Sequence, residues 1–364
     1  MEQTVWNLPH VRLLGRHTRT DDALTLFYTA AGIECICTGS ELWLELNADY
    51  ELYEPWLSVE LNGAWISRFP VAAGRSEVCV FRGMTPGTPK HVRVFKDVQA
   101  MSGDPRHLLQ ILALRWEKGD FLPLPAPKYR LEFVGDSITS GEGTIGATSE
   151  EDWISAFFTA ENHYGRMTAD ALGAEYRIVS QSGWGILSSW DNDPHCRVLS
   201  YYEKVCGLAR GARNGQLGAH QPNDFAAWPA DGVIVNLGTN DAGASHNPPW
   251  TDPQTGETFA QDTSPAHRAR LEQAVVDGLR MLRRCNPGAL LVWVYGMLGD
   301  ELRPTLEEAV ARYRRETGDD RACFLPLPDT TPETVGARQH PGVESHRRAA
   351  GVLTAFLSEA LHES

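Results

Sequence analysis

Leu131-Glu132-Phe133-Val134-Gly135-Asp136-Ser137-Ile138-Thr139 is a short apolar run that ends on glycine and passes straight into polar residues. Such a run reads as a buried strand, and the glycine lets the chain turn sharply into the polar segment. Further along, the pattern repeats. Tyr176 to Val179, Val233 to Leu237 and Leu290 to Tyr295 are three more apolar runs, with helical stretches between them. One helix is predicted around His163 to Leu172. Another opens at Ser264-Pro265, an N-cap followed by proline at the first helical position, and stops at Asn286-Pro287-Gly288. Its inner face is Leu271, Ala274, Val275, Leu279 and Leu282, and that of a last helix is Ala349, Leu353, Phe356, Leu357 and Ala360. Strands alternating with helices predict a parallel sheet covered on both faces, an α/β three-layer domain. Ligands of such sheets bind beyond the carboxyl ends of the strands.

Upstream the grammar differs. Leu42, Leu44 and Leu46 alternate with Trp43 and Glu45, and Leu57, Val59 and Leu61 alternate with Trp56, Ser58 and Glu60. Asn62-Gly63 then supplies the dipeptide of a tight hairpin, and Trp65 to Phe69 continues beyond it. Val78 to Phe81 and His91 to Val98 add further strands. The expectation for residues 1–120 is a jelly-roll-like antiparallel sandwich of about eight short strands. Phe121-Leu122-Pro123-Leu124-Pro125-Ala126-Pro127 breaks the pattern with alternate prolines, so residues 121–128 are expected to be a stiff linker. Residues 129–364 then form the α/β domain. Two domains suit a chain of 364 residues, since one domain averages roughly 150.

Composition excludes several classes of function. Lys and Arg total 33 against 47 Asp and Glu, a formal charge of -14 that repels nucleic-acid phosphates and anionic lipid. No nucleic-acid or membrane partner is expected, and no apolar run approaches the roughly 18 to 20 residues that span a bilayer. Met1-Glu2-Gln3-Thr4-Val5-Trp6 lacks the basic start and apolar core of a secretory signal, which points to the cytoplasm. The seven cysteines, an odd number without dense spacing, read as free thiols. Oligomeric state is left open.

Polar residues cluster where the strands end. Gly135-Asp136-Ser137 follows the first, Ser180-Gln181-Ser182-Gly183-Trp184-Gly185 the second, and Gly238-Thr239-Asn240-Asp241 the third; His340-Pro341 precedes the last helix. Acyl transfer needs a nucleophile, a base and donors for the developing oxyanion. Ser137 can offer its hydroxyl and its own N–H, Gly183 an unobstructed N–H, and Asn240 a side-chain amide. His340 is the natural base, because an ordinary imidazole titrates near neutrality. Taken singly, Ser137 reads as a helix cap, Gly183 as a turn, Asn240 as a helix start and His340 as a surface residue. Together they favour catalysis.

In this order the blocks resemble those of the SGNH (GDSL) hydrolases. The resemblance implies Ser137 as nucleophile, Ser137, Gly183 and Asn240 as oxyanion donors, and His340 as base. A sandwich leading through a proline-rich linker into Gly-Asp-Ser-Ile-Thr is similar to carbohydrate esterase family two, the acetyl xylan esterase type. One departure stands out. The family places an Asp three residues before the histidine, and here that position is Ala337. Asp329, Glu333 and Glu344 are near in sequence without the spacing, so a backbone carbonyl is the expected acceptor for Nδ1.

Gly141-Glu142-Gly143-Thr144-Ile145-Gly146 matches a dinucleotide-binding pattern, but it starts several residues past its strand and is followed by Glu150, Glu151 and Asp152, which repel phosphate. It reads instead as a flexible loop beside Ser137. No metal or other cofactor is expected, since neither C-x-x-C nor H-E-x-x-H occurs. The segment from Ala242 to Pro265 reads as a rim or lid containing Trp250. Of Trp184, Trp190 and Trp228, which lie in or between the blocks, only Trp184 joins Trp250 as an expected substrate contact; the others read as core. The function expected is O-deacetylation of carbohydrates, such as acetylated xylo- or manno-oligosaccharides, through an acetyl-serine. The rivals are a general esterase or lipase and a carbohydrate-binding protein with little turnover.

Overall fold

The computed structural model describes residues 2–4 and 7–362. The leader reading of the first six residues therefore rests partly on Met1, Val5 and Trp6, which lie outside the described residues. The chain forms two compact units. The first comprises Met1–Ala126, Trp153–Glu161 and Lys204–Asn223; the second comprises Pro127–Asp152, Asn162–Glu203 and Asp224–Ser364. The two later segments of the first unit fall within the 129–364 range that the sequence assigns to the α/β domain.

In the first unit two six-stranded antiparallel sheets share one apolar core. In the first sheet Leu24–Leu26, Leu108–Glu117, Glu41–Asp49 and Gly74–Phe81 lie side by side; in the second the order runs Phe121–Leu122, Gly32–Cys37, Lys90–Lys96, Trp56–Leu61 and Ala64–Pro70. Leu42, Leu44 and Leu46 all point into the core, as strict alternation requires. Asn62 (φ +54°) and Gly63 (φ +80°) both take left-handed conformations and close the hairpin that pairs Leu61 with Ala64. Phe121 and Leu122, expected in the linker, instead pair with Cys37 and Ile36. All seven cysteines are free thiols.

Named contacts explain why two distant segments join this unit. Buried Asp97 pairs with Arg68 and accepts from the Ala160 N–H at 2.7 Å, while Arg68 Nη2 donates to the Phe158 carbonyl at 2.6 Å. Arg16 Nη1 donates to the Lys204 carbonyl at 2.8 Å, and Thr18 Oγ1 to that of Leu217 at 2.6 Å.

The second unit is built on a five-stranded parallel sheet. Its strands are β1 (Tyr129–Gly135), β2 (Ala174–Ser180), β3 (Gly232–Asn236), β4 (Leu290–Tyr295) and β5 (Ala322–Pro326), in the spatial order β2-β1-β3-β4-β5. The helices are α1 (Ser137–Ser140), α2 (Tyr164–Leu172), α3 (Thr239–Ala244), α4 (Pro265–Cys285), α5 (Arg303–Thr317) and α6 (Val343–Ala360). The order reverses at β1, and right-handed crossovers then carry helices to opposite faces. α2 packs with α6 and α4 with α5, as that geometry requires. Residues 135–137, 181–185 and 237–241 leave the carboxyl ends of the three adjacent strands β1, β2 and β3. No helix among the described residues is long and apolar enough to cross a membrane.

Replacing Asp97 by Ala leaves a mostly buried Arg68 without its carboxylate and frees the Ala160 amide. The expected loss is about 3–5 kcal/mol, the range for breaking a buried pair. Urea denaturation reads the loss, and limited proteolysis should find new cleavage within 153–161; an unchanged midpoint would show that the Phe158 carbonyl contact suffices.

Candidate active site

The turn after β1 leaves no room for a side chain at its glycine. A Cβ on Gly135 would come within 2.1 Å of Thr139 Oγ1. Asp136 is the N-cap, its Oδ1 accepting from the Ile138 N–H at 3.0 Å. Ser137 is thereby the first residue of a single helical turn, which Gly141 ends in a left-handed conformation. Its side chain is nearly buried, yet its Oγ lies 2.9 Å from His340 Nε2.

His340 reaches that position from an unusual loop. Its Nδ1 lies 2.8 Å from the carbonyl oxygen of Arg338, so a backbone group holds the Nδ1 proton and leaves Nε2 free to accept from Ser137. The three nearby acids are engaged elsewhere. Asp329 accepts from the N–H groups of Gly299 and Thr330, Glu333 bonds Thr331, and Glu344 pairs with Arg347 and Arg348.

The loop after β2 is held by the residues after β3. Asp241 is buried, and its carboxylate accepts from the N–H groups of Ile186 and Leu187, both at 2.8 Å. A Cβ on Gly185 would sit 2.4 Å from Asp241 Oδ2, so only glycine fits beneath this carboxylate. Asn240 Nδ2 donates to the Trp184 carbonyl at 3.0 Å and to Asp136 Oδ2 at 3.2 Å, joining all three strand ends. Gly183 takes φ +78°, a left-handed conformation natural to glycine. Among the described residues neither its N–H nor that of Ser137 has an acceptor. Two unpaired donors beside a hydroxyl–imidazole pair can receive the negative charge that develops on a carbonyl oxygen under attack.

Ser137 and His340 are thus in direct contact, and Asn240 ties Asp136, the neighbour of Ser137, to Trp184, the neighbour of Gly183. The two tryptophans expected to touch substrate are engaged with other rings. Trp184 is buried, with its ring packed 5.6 Å from that of Tyr201; Trp250 lies in a small hairpin with its ring edge-on to His195. Trp190, expected in the core, is 53% exposed. Its indole borders Gly183 so closely that a Cβ there would lie 3.1 Å from Trp190 Cδ1. Trp184 sits next to Gly183 in sequence, Trp190 in space.

Glu142 was missed as well. The segment 141–146 is not a loose loop at its start, for Gly141, Glu142 and Gly143 are buried and the Gly143 carbonyl accepts from the Ala337 N–H at 2.8 Å. Glu142 Oε1 accepts from Arg338 Nε at 2.9 Å and lies 3.8 Å from His340 Nε2. The segment from Ala242 to Pro265 is tied down by Asn192, whose Nδ2 donates to the carbonyls of Ala244 and Pro248 and whose Oδ1 accepts from the Gln261 N–H. No group of three His, Cys, Asp or Glu side chains suited to a metal ion occurs among the described residues.

Residues 133–348 match the model of the GDSL-like Lipase/Acylhydrolase family, and the chain belongs to that family. An acetyl xylan esterase from the rumen bacterium Butyrivibrio proteoclasticus is similar over 100% of this chain and 98% of its own, with 40% identity and a TM-score of 0.97. A family two carbohydrate esterase from Clostridium thermocellum, solved with cellohexaose, shares the fold: TM-score 0.81, 23% identity, 97% of this chain and 99% of that one. Among curated proteins, a cellulase/esterase of Acetivibrio thermocellus is 26% identical over 85% of this chain and 34% of its own length. An acetylxylan esterase/glucomannan deacetylase of Cellvibrio japonicus is 26% identical over 64% of this chain and 62% of its own. The chain therefore spans between a third and two thirds of the length of these curated relatives.

Burial pushes the Asp136 carboxyl up to about 7; Asp241 and Glu142 add to the rise, and the Ile138 N–H opposes it. Because the folded state holds this proton more tightly than the unfolded chain, the group's contribution to stability is greatest at acid pH. It declines as pH rises from about 4 to about 7. Asp136→Asn keeps a capping oxygen and removes the charge. Its melting temperature relative to wild type should therefore improve between pH 4.5 and pH 8, and a difference that is flat or falls with pH would show that Asp136 ionises normally.

Proposed function

We propose that this chain is a serine esterase that removes O-acetyl groups from carbohydrates, without a metal or other cofactor. The observation that carries the reading is the Ser137 Oγ–His340 Nε2 contact of 2.9 Å beside two unpaired backbone donors. In the first half-reaction Oγ attacks the acetyl carbonyl while its proton passes to Nε2. The N–H groups of Ser137 and Gly183 stabilise the oxyanion. Asn240 becomes a third donor by exchanging its 3.2 Å bond to Asp136 for one to the substrate. Collapse of the tetrahedral intermediate breaks the ester C–O bond, and the imidazolium gives its proton to the departing sugar oxygen. Water, deprotonated by His340, then releases acetate from acetyl-Ser137.

Similarity to an acetyl xylan esterase over the full chain supports an acetylated polysaccharide or oligosaccharide as substrate, xylan- or mannan-derived. The β-rich unit, with two antiparallel sheets on one core, is read as a jelly-roll-like module. Trp190 is the aromatic face offered to a sugar ring, since an exposed indole beside an oxyanion donor suits stacking on a pyranose.

Acetate release from acetylated xylo- and manno-oligosaccharides, set against hydrolysis of long-chain acyl esters, separates a carbohydrate esterase from a lipase and from a binding protein with little turnover. Ser137→Ala should abolish acetate release in a folded protein; near wild-type turnover would end the mechanism. Asn240→Ala should lower kcat by about 10²–10³, the usual loss for one oxyanion donor. Trp190→Ala should instead raise KM for oligosaccharides and leave turnover of a small aryl acetate nearly unchanged. Equal losses on both substrates would make Trp190 a support for Gly183 rather than a sugar platform.

A further inference from the structure

Two successive non-glycine residues directly before the base, Arg338 (φ +53°) and Gln339 (φ +56°), adopt left-handed conformations. Side-chain sterics disfavour that region, so the surrounding structure must hold the chain there. The holders converge on Arg338. Its N–H donates to the Glu150 carbonyl at 2.7 Å, its Nε to Glu142 Oε1 at 2.9 Å, and its Nη1 to the Glu151 carbonyl. Glu142 is itself buried, and its N–H donates to the Ser137 carbonyl at 3.0 Å. Gly143 next to it would meet Ala337 O at 2.2 Å and His340 Cβ at 2.7 Å if it carried a Cβ. The turn bearing the nucleophile and the loop bearing the base are thus in direct contact through Glu142, Gly143 and Arg338.

We propose that the Glu142–Arg338 ion pair is a positioning device that takes over the task of the acid missing at Ala337. It pins Arg338 in its strained conformation, so that the Arg338 carbonyl holds the Nδ1 proton of His340 and aims Nε2 at Ser137. A carbonyl orients an imidazole but brings no full negative charge to its protonated form. Glu142 brings that charge from the other side, 3.8 Å from Nε2. Other charged or titratable groups beside the imidazole are Arg338 and Glu151 next to its own loop, His346 from α6, and Asp136 at the start of the turn that bears Ser137. His346 is fully buried, hydrogen-bonded to Thr144 Oγ1 and to the Tyr164 N–H, and burial holds its pKa well below the usual imidazole range. It therefore stays neutral. Arg338 and Glu142 are positioning residues, and the inference rests on the reading of Ser137 and His340 as nucleophile and base.

Arg338→Ala, Arg338→Gly and Glu142→Gln test it, with kcat and KM for acetate release and the His340 imidazole titrated by NMR. Arg338→Ala should lower kcat by about 10²-fold, the loss that an ångström of misplacement brings, with KM little changed. Arg338→Gly, which adopts a left-handed conformation without strain, should recover part of that loss. Glu142→Gln keeps an acceptor for Arg338 but removes the charge, so kcat should fall by about tenfold and His340 should titrate at lower pH than in wild type. The proposal is overturned if Arg338→Gly is as defective as Arg338→Ala, if the losses lie in KM alone, or if Glu142→Gln leaves both kcat and the imidazole titration unchanged. The NMR titration needs no turnover and judges the charge on its own. Absence of acetate release by wild type, or a fully active Ser137→Ala, would strike the esterase reading instead.

Discussion

The buried carboxylate of Asp241 organises the turns at the carboxyl end of the parallel sheet. It accepts from two consecutive N–H groups, those of Ile186 and Leu187, and from the Gln261 amide at 3.0 Å. A carboxylate removed from water is costly unless its lone pairs are filled, so these donors are obligatory partners. They also dictate the shape of the loop after β2, down to the absence of a side chain at Gly185. Burial still pushes the Asp241 carboxyl up to about 6, so the hydrogen bonds offset its desolvation only in part. Asn240, its neighbour on α3, inherits a fixed position from the same arrangement and bridges Asp136 to the Trp184 carbonyl. Three strand ends are thus locked by one residue pair, and the sheet beneath sets their spacing.

On the histidine side the design is different. A short peptide loop, strained at two residues, presents a carbonyl rather than a carboxylate to the His340 Nδ1. It is held by the Gly143 and Glu150 carbonyls, which accept from its backbone, and by the Glu142 carboxylate and Glu151 carbonyl, which accept from the Arg338 side chain, so His340 is held by the first stretch of chain after Ser137. Strain of this kind persists only where the surroundings over-determine it, and here they do.

Much of this was legible in the sequence, for identifiable reasons. β1 to β4 are near-continuous apolar runs because both their faces are covered. β5, one of the two edge strands, is less legible because Cys323, Phe324 and Leu325 are only half-buried and its apolar run is short. α5 was passed over because charged residues dominate Arg303–Thr317, although Leu306, Ala309, Val310 and Tyr313 mark a buried face at helical spacing. Ser137, Gly183 and Asn240 stand in short blocks at strand ends, and His340 in one just before the last helix, where local pattern and chemistry coincide. Glu142 does not, because a carboxylate between glycines looks solvated until its distant arginine is known. Trp190 and Trp184 could not be ranked without knowing which indole faces outward.

Neither did local pattern reveal that residues 153–161 and 204–223 complete the first unit, and this bears on how the chain is made. A sandwich ending near residue 126 could finish folding while the rest was still being synthesised. Here the partners of Asp97, Arg16 and Thr18 are added up to roughly a hundred residues later. At about 5–20 residues per second, the nascent sandwich waits on the order of 5–20 seconds for its last pieces. For roughly the first third of that interval, until Ala160 is added, Asp97 lacks the amide that will donate to it, and the segments that complete the unit are interleaved with those of the parallel sheet. Recombination that joins this sandwich to another enzyme at the proline-rich segment would strip it of both insertions. The two units are therefore bound to be inherited together.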